Sequence, residues 1–262
     1  NNLILAGTLL IVIYNIMNKA AKIIVDPVDI DKNNQYLVSN EKKTEYTEDY
    51  AVTFYERNIK VAIDKILSFC GLVLLTPLYV LICLAIYLDD PGPIFFSQVR
   101  VGKDKHFFIL HKFRTMRVST PHDMPTHLLD SPDIYITRVG KVLRKTSLDE
   151  LPQIWDIFRG KMSIIGPRPA LWNQEDLVME REKYGANNIA PGLTGWAQIN
   201  GRDEQDIQGK AVLDGEYIKQ LSSGGWRALF GDIRCFYKTI GAVIRQEGIH
   251  EGKVKKRNDN TK

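Results

Sequence analysis

A chain of 262 residues with formal net charge +4, 44% hydrophobic and 25% charged residues has the size of one globular domain with a modest appendage, too short for several domains. With 19 Gly and 11 Pro it is neither low-complexity nor disordered, and three cysteines at positions 70, 83 and 235, odd in number and far apart, exclude a disulfide framework or a paired-cysteine metal cluster. Five scattered histidines argue against zinc, and no nucleic-acid partner is expected from so mild a basic excess.

Charge is missing from two windows. Residues 3–17 (LILAGTLLIVIYNIM) carry none and are followed by Lys19 and Lys22. At ~1.5 Å per residue the stretch reaches roughly 23 Å as a helix, short of a ~30 Å hydrocarbon core. Residues 1–25 therefore read as a hydrophobic anchor, a short transmembrane segment or the end of a longer one. A signal peptide is the rival, weakened by the lack of a small-x-small pattern after the apolar run. Residues 26–50 are polar, with little periodicity, and read as a linker. Over residues 52–64, Val52, Tyr55, Ile59, Ala62 and Ile63 return at helical spacing with basic residues elsewhere, which predicts a helix lying along lipid headgroups.

Residues 66–88 (ILSFCGLVLLTPLYVLICLAIYL) form the second uncharged window and meet the ~20-residue requirement of a membrane helix. Thr76-Pro77 lies at its centre, where proline removes a backbone hydrogen bond and kinks the helix. Arg57, Lys60 and Lys65 precede the window and Arg100, Lys103, Lys105, Lys112, Arg114 and Arg117 follow it. Cationic flanks at both ends satisfy the positive-inside rule only if the segment enters and leaves by one face, so a re-entrant hairpin is preferred to a kinked crossing.

Residues 89–93 (DDPGP) form a turn, and the apolar runs 94–99 and 107–113 around Gly102-Lys103-Asp104-Lys105 predict a β-hairpin. Helices are predicted over 149–158, 173–184, 206–221 and 226–245. In the last, Trp226, Leu229, Phe230, Ile233, Tyr237, Ile240 and Ile244 form one stripe, equally suited to a core or to a membrane interface. Residues 51–250 are taken as one domain, and residues 251–262 as a basic tail suited to anionic lipid.

Residues 146–152 read TSLDELP. Pro152 is tolerated in a first helical turn, which puts Asp149 and Glu150 at a positive dipole end. Ser147 with Glu150 also matches a capping box, a competing register in which the acids merely cap the helix. The surroundings favour chemistry: Arg138, Arg144 and Lys145 precede the acids, Arg168 sits in the stiff loop GPRP (166–169), and Arg114 lies in KFRTM (112–116). Guanidiniums beside a carboxylate at a helix N-terminus suit phosphate oxygens, though any single arginine can be a solvated surface residue. A carboxylate in that positive field stays ionised near neutral pH and can attack phosphorus, while its neighbour holds Mg²⁺ bridging the phosphates. Downstream, residues 191–202 (PGLTGWAQINGR) offer Trp196, Gln198, Asn200 and Arg202 for stacking and hydrogen bonding to a nucleotide base and ribose. The alternative is a structured loop that packs Trp196 into the core.

Four motifs in this order, KFRTM (112–116), LRKTSLDELPQ (143–153), MSIIGPRP (162–169) and PGLTGWAQINGR (191–202), resemble the bacterial sugar transferase family, the monotopic polyprenol-phosphate phosphoglycosyl transferases. The likeness runs over about residues 55–248. It implies that Asp149 attacks the β-phosphorus of a UDP-sugar, releasing UMP and leaving a phosphosugar-aspartate that a polyprenol (undecaprenyl) phosphate then takes up. It further implies that Glu150 is the Mg²⁺ ligand, that Arg144 and Arg168 clamp the diphosphate, and that a re-entrant helix breaks at a small-residue-proline step, here Thr76-Pro77, with threonine where serine is commoner. Asp156 stands where members often carry Asn, and residues 202–206 are more acidic than usual, which bears on sugar selectivity. Larger members carry a membrane bundle and an extra soluble domain before the catalytic region, where this chain has a short hydrophobic stretch and linker. The expected protein is α+β and mainly helical, with a re-entrant hairpin, interfacial amphipathic helices and a small β-hairpin around an active site on the cytoplasmic face of a bacterial membrane. A homodimer is left open.

Overall fold

The computed structural model describes residues 51–120, 132–201 and 205–245. The predicted anchor (1–25), linker (26–50), basic tail (251–262) and Arg202 lie outside the described residues. What is described is mainly helical with two small sheets, an α+β arrangement.

A π-helical turn, Tyr55–Lys60, runs into helix α1 (Val61–Leu74), which is followed after Leu75 by α2 (Thr76–Asp89). Pro77 has no N–H to give to the preceding turn, and beside it the Thr76 hydroxyl donates to the Leu72 carbonyl at 2.7 Å. The two segments Tyr55–Leu74 and Thr76–Asp89 meet at 61°. No single described helix is long and apolar enough to cross a membrane, although this bent pair meets that requirement jointly. One side of the pair is core: Leu72, Tyr79, Ile82 and Ile86 pack on Phe95, Phe113, Leu143 and Trp155. Each such burial is worth about 2 kcal/mol. The other side is bare, with Leu74 77%, Leu88 72% and Leu81 64% exposed.

Strands β1 (Phe95–Val101) and β2 (Phe107–Phe113) form the predicted hairpin, in register from Phe95↔Phe113 to Val101↔Phe107. The first strand runs two residues past its predicted end because Arg100 pairs with Phe108 while its guanidinium bonds the Pro169 carbonyl at 3.0 Å. After a single helical turn, Pro132–Tyr135, comes α3 (Arg138–Thr146), unpredicted because only Val139, Val142 and Leu143 are apolar in it. Its N-cap is Thr137, which accepts from Gly140 N at 2.9 Å.

The predicted helix over 149–158 is divided. Ser147 adopts φ 56° and ends α3, a single 3₁₀ turn covers Leu148–Glu150, and α4 (Gln153–Phe158) begins after Pro152. The capping box does not form: Ser147 makes no side-chain cap, and its carbonyl accepts from Glu150 N at 3.3 Å. A second, parallel sheet of β3 (Ser163–Ile165) and β4 (Gly192–Thr194), too short to announce itself by alternation, went unpredicted. Helices α5 (Glu175–Glu182), α6 (Trp196–Ile199), α7 (Ile207–Ser222) and α8 (Gly225–Arg245) complete the described chain. α7 and α8 match the predicted spans to within a residue, and α5 is shorter by two residues at each end.

A buried carboxylate fastens the start of the bent pair to this helical half. Asp232 of α8 receives the Tyr55 hydroxyl at 2.9 Å, the Lys60 ammonium at 2.9 Å and the Tyr217 hydroxyl at 2.8 Å. Asp64 likewise accepts from Ser163 Oγ at 2.7 Å and Ile164 N at 3.1 Å. On α8 the inward positions are Ala228, Asp232 and Cys235, so the stripe of Trp226, Phe230 and Tyr237 faces outward, 63–74% exposed.

Candidate active site

The 3₁₀ turn carries Asp149 and Glu150 to where the hairpin, the 166–169 loop and α3 meet. Leu148 and Leu151 anchor the turn in the first core, and the Tyr79 hydroxyl of α2 donates to the Leu151 carbonyl. The GPRP loop is fixed by close backbone approach between β3 and β4: a Cβ on Gly192 would lie 2.1 Å from Gly166 N, and one on Gly195 2.0 Å from Gly166 O. Only glycine fits there. Arg181, itself paired with the buried Asp214 at 2.7 Å, donates to the Arg168 carbonyl at 2.9 Å. Arg168 is thereby presented from a rigid frame.

Lys112 of β2 reaches the acids from the opposite wall. Its ammonium is 2.8 Å from Glu150 Oε1 and 3.9 Å from Asp149 Oδ2, and Arg168 Nη2 lies 3.3 Å from the same Glu150 oxygen. Arg144 bonds Thr115 Oγ1 at 2.9 Å and acts on Asp149 through its charge. Burial raises the Asp149 pKa above the ordinary carboxylate range; Lys112 and Arg144 oppose the rise and Glu150 adds to it. The expectation of a carboxylate governed by its positive field is thus modified: desolvation is the larger effect.

The sequence-derived candidates separate into two groups. Asp149, Glu150, Arg144 and Arg168 converge, and Gln198 lines a hollow with Arg168. Arg114 is drawn away by Asp90 and the Pro93 carbonyl at the end of α2, because a buried guanidinium takes the nearest carboxylate. Arg138 is exposed in the first turn of α3. Trp196 donates to Glu216 at 2.8 Å with Arg234 and Lys238 over its ring, and Asn200 bonds the Trp196 carbonyl at 2.9 Å. Trp196 thus braces α6 against α7 and α8, and Asn200 closes the end of α6. Lys112 and Arg100 are site residues that the sequence reading did not single out, although Lys112 is the one ammonium in an otherwise buried, aromatic strand.

Among the described residues no group of three or more His, Cys, Asp or Glu side chains is arranged to hold a metal. Mg²⁺ is commonly held by one or two carboxylates together with substrate phosphates, and Glu150 beside Asp149 fits that mode. Its Oε1 already carries two cationic contacts, so a metal ion would share the carboxylate with Lys112 and Arg168.

Comparison with known proteins identifies the family. The family described as bacterial sugar transferase matches residues 55–246. The chain is 38% identical over 191 residues to the UDP-glucose:undecaprenyl-phosphate glucose-1-phosphate transferase of Xanthomonas campestris pv. campestris, covering 70% of this chain and 38% of that one. It is 35% identical over 192 residues to the UDP-N-acetylgalactosamine-undecaprenyl-phosphate N-acetylgalactosaminephosphotransferase of Aeromonas hydrophila, covering 71% and 44%. It is 33% identical over 203 residues to the exopolysaccharide production protein ExoY of Rhizobium meliloti (strain 1021), covering 72% and 87%. The chain thus spans about two fifths of the length of the glucose-1-phosphate transferase and most of ExoY. The match takes in the dyad and its cations and spans most of the sequence, and the chain belongs to the bacterial sugar transferase family.

Proposed function

We propose that the protein transfers a sugar 1-phosphate from a UDP-sugar to undecaprenyl phosphate at the cytoplasmic face of a bacterial membrane, the initiating step of a surface polysaccharide or glycan. A carboxylate oxygen of Asp149 attacks the β-phosphorus, and the bond from that phosphorus to the bridging oxygen breaks. UMP departs with the bridging oxygen, and the phosphosugar remains esterified to Asp149. An oxygen of the lipid phosphate then attacks the same phosphorus, giving the polyprenyl diphosphosugar and restoring the carboxylate. Lys112 steadies Glu150 beside the nucleophile, and Arg144 and Arg168 meet the phosphate oxygens. Mg²⁺ shared between Glu150 and the diphosphate would neutralise charge developing on the leaving UMP. The bent pair serves as a re-entrant hairpin whose bare side lies in the acyl region, delivering the lipid phosphate beside the dyad.

The observation carrying this reading is the contact of Lys112 and Arg168 with one oxygen of Glu150, next to a half-buried Asp149. It agrees with what the named relatives transfer. With Mg²⁺ and UDP-sugar but no lipid, intact-mass spectra should display a phosphosugar adduct on wild-type protein and none on Asp149→Asn. Full turnover by that variant would overturn the nucleophile assignment.

A further inference from the structure

Two hollows meet at Arg168. The smaller, of about 10 Å³, touches the dyad through Lys112 and Glu150; the larger, of about 190 Å³, shares Arg100, Arg168 and Pro169 with it. The larger hollow contains no acidic lining residue among those described, but it holds four cations: Arg100, Arg168, Arg181 and Lys210. Arg181 is neutralised by Asp214. The other three leave a positive excess that Glu150, already shared with Lys112, offsets only in part.

Arg100 makes the imbalance concrete. Its Nη1 and Nη2 bond the Pro169 carbonyl at 3.0 Å and Gln98 at 2.7 Å, neutral acceptors both, and its Nε is buried without a partner. Burial, aided by the nearby Arg168, pushes its pKa down to about 10, so it still bears full charge at neutral pH. Two neighbouring guanidiniums, one of them desolvated, oppose each other until an anion arrives. The remaining wall joins the apolar side chains of Pro169, Ala170, Leu171, Leu177 and Ala197 to the amides of Gln174 and Gln198, a lining that suits a flat ring whose edge takes amide hydrogen bonds. None of the lining residues belongs to α1 or α2, the segments whose bare surface would face lipid, so the acceptor's phosphate is a poor occupant.

We propose that the larger hollow receives the nucleoside monophosphate half of the donor, with Arg100 and Lys210 as binding residues and Arg168 at the boundary with the phosphate under attack. This rests on the transferase reading above and specifies where the leaving half of the donor is held. Lys210 is the residue to test: it stands half-buried in the first turn of α7, where glutamate suits the helix dipole and leaves folding intact.

The probes are UMP, uridine and undecaprenyl phosphate, with binding measured by titration of the purified membrane protein and the donor KM measured by UMP release. Lys210→Glu should weaken UMP at least about tenfold and raise the donor KM in parallel, by loss and inversion of one phosphate-facing charge. Uridine, lacking the phosphate, should change far less, and Lys210→Arg should restore UMP binding. Unchanged UMP affinity and donor KM in Lys210→Glu would overturn the proposal, as would weakening of undecaprenyl phosphate in place of UMP. Because Lys210→Ala deletes the charge without inverting it, a smaller loss of UMP binding in that variant guards against an effect peculiar to glutamate. The two readings fail separately: Lys210-dependent UMP binding without turnover of any UDP-sugar would sustain the hollow and sink the transferase. Turnover through the aspartyl adduct with no Lys210 dependence would do the reverse.

Discussion

The side chain that most sharply distinguishes this site from a capped helix is Lys112. A capping acid needs only backbone N–H groups, whereas Glu150 takes an ammonium at 2.8 Å from a strand 38 residues earlier in the chain. Lys112→Ala should lower the rate of adduct formation about 10²-fold, the usual scale for removing one preorganised charge from a phosphate site, with the thermal melt unchanged. On the proposed mechanism the attacking group must be an ionised carboxylate, and burial raises the Asp149 pKa. Adduct formation should therefore fall on the acid side at a higher pH than an exposed aspartate of pKa ~3.9 would give. Lys112 lowers that pKa, so Lys112→Ala should move the acid limb higher still; an unmoved limb would reject the assignment. Asp156 is of another kind. It is 1% exposed, accepts from His111 N at 3.0 Å and lies 2.7 Å from His111 Nδ1, gripping β2 one residue before Lys112. Asp156→Ala leaves two buried groups without acceptors and should destabilise the fold by about 3 kcal/mol, read as a lowered melting temperature.

Among elements, the break at Thr76-Pro77 was legible because proline's missing donor is a local fact of the chain. The hairpin and α7 were legible for a similar reason, their apolar patterns and turn residues lying within one element. The second sheet was not. Its strands pair only at Ser163↔Gly192 and Ile165↔Thr194, and that pairing depends on glycines close in space but far apart in sequence. The division of the 149–158 helix was hidden as well: the left-handed Ser147 satisfies the end of α3, and nothing in TSLDELP says that a helix has just finished. Arg114 and Arg144 looked alike in sequence, yet Asp90 claims one and Thr115 the other. The re-entrant reading makes a direct prediction. Single cysteines replacing the exposed Arg57 and Lys103, in a Cys70→Ser background, should react with an impermeant thiol reagent from the same side of sealed vesicles; labelling from opposite sides would convert the hairpin into a crossing.

Across the whole molecule, the bent pair and α8 each turn large apolar side chains outward, and Asp232 ties the two together. Outward Trp226, Phe230 and Tyr237 are the expected face for the headgroup zone. Replacing all three by serine should reduce co-sedimentation with anionic vesicles while leaving the melt in detergent nearly unchanged. Asp232→Ala, by stranding the buried Lys60, should instead cost about 3–5 kcal/mol of stability and loosen the Tyr55–Lys60 turn from the helical half. Equal vesicle binding by the triple variant would remove α8 from the membrane face.

The Tyr79 hydroxyl bonds the Leu151 carbonyl, two residues beyond Asp149, from the first turn of a helix whose far side is bare of protein contacts. On the re-entrant reading proposed above, a helix so placed would lean according to the thickness of the lipid around it and hand that lean to the turn bearing Asp149. Chain length in the surrounding acyl groups would then act as a throttle on catalysis. Turnover should peak in lipids of one thickness and decline on either side, and Tyr79→Phe should flatten that dependence.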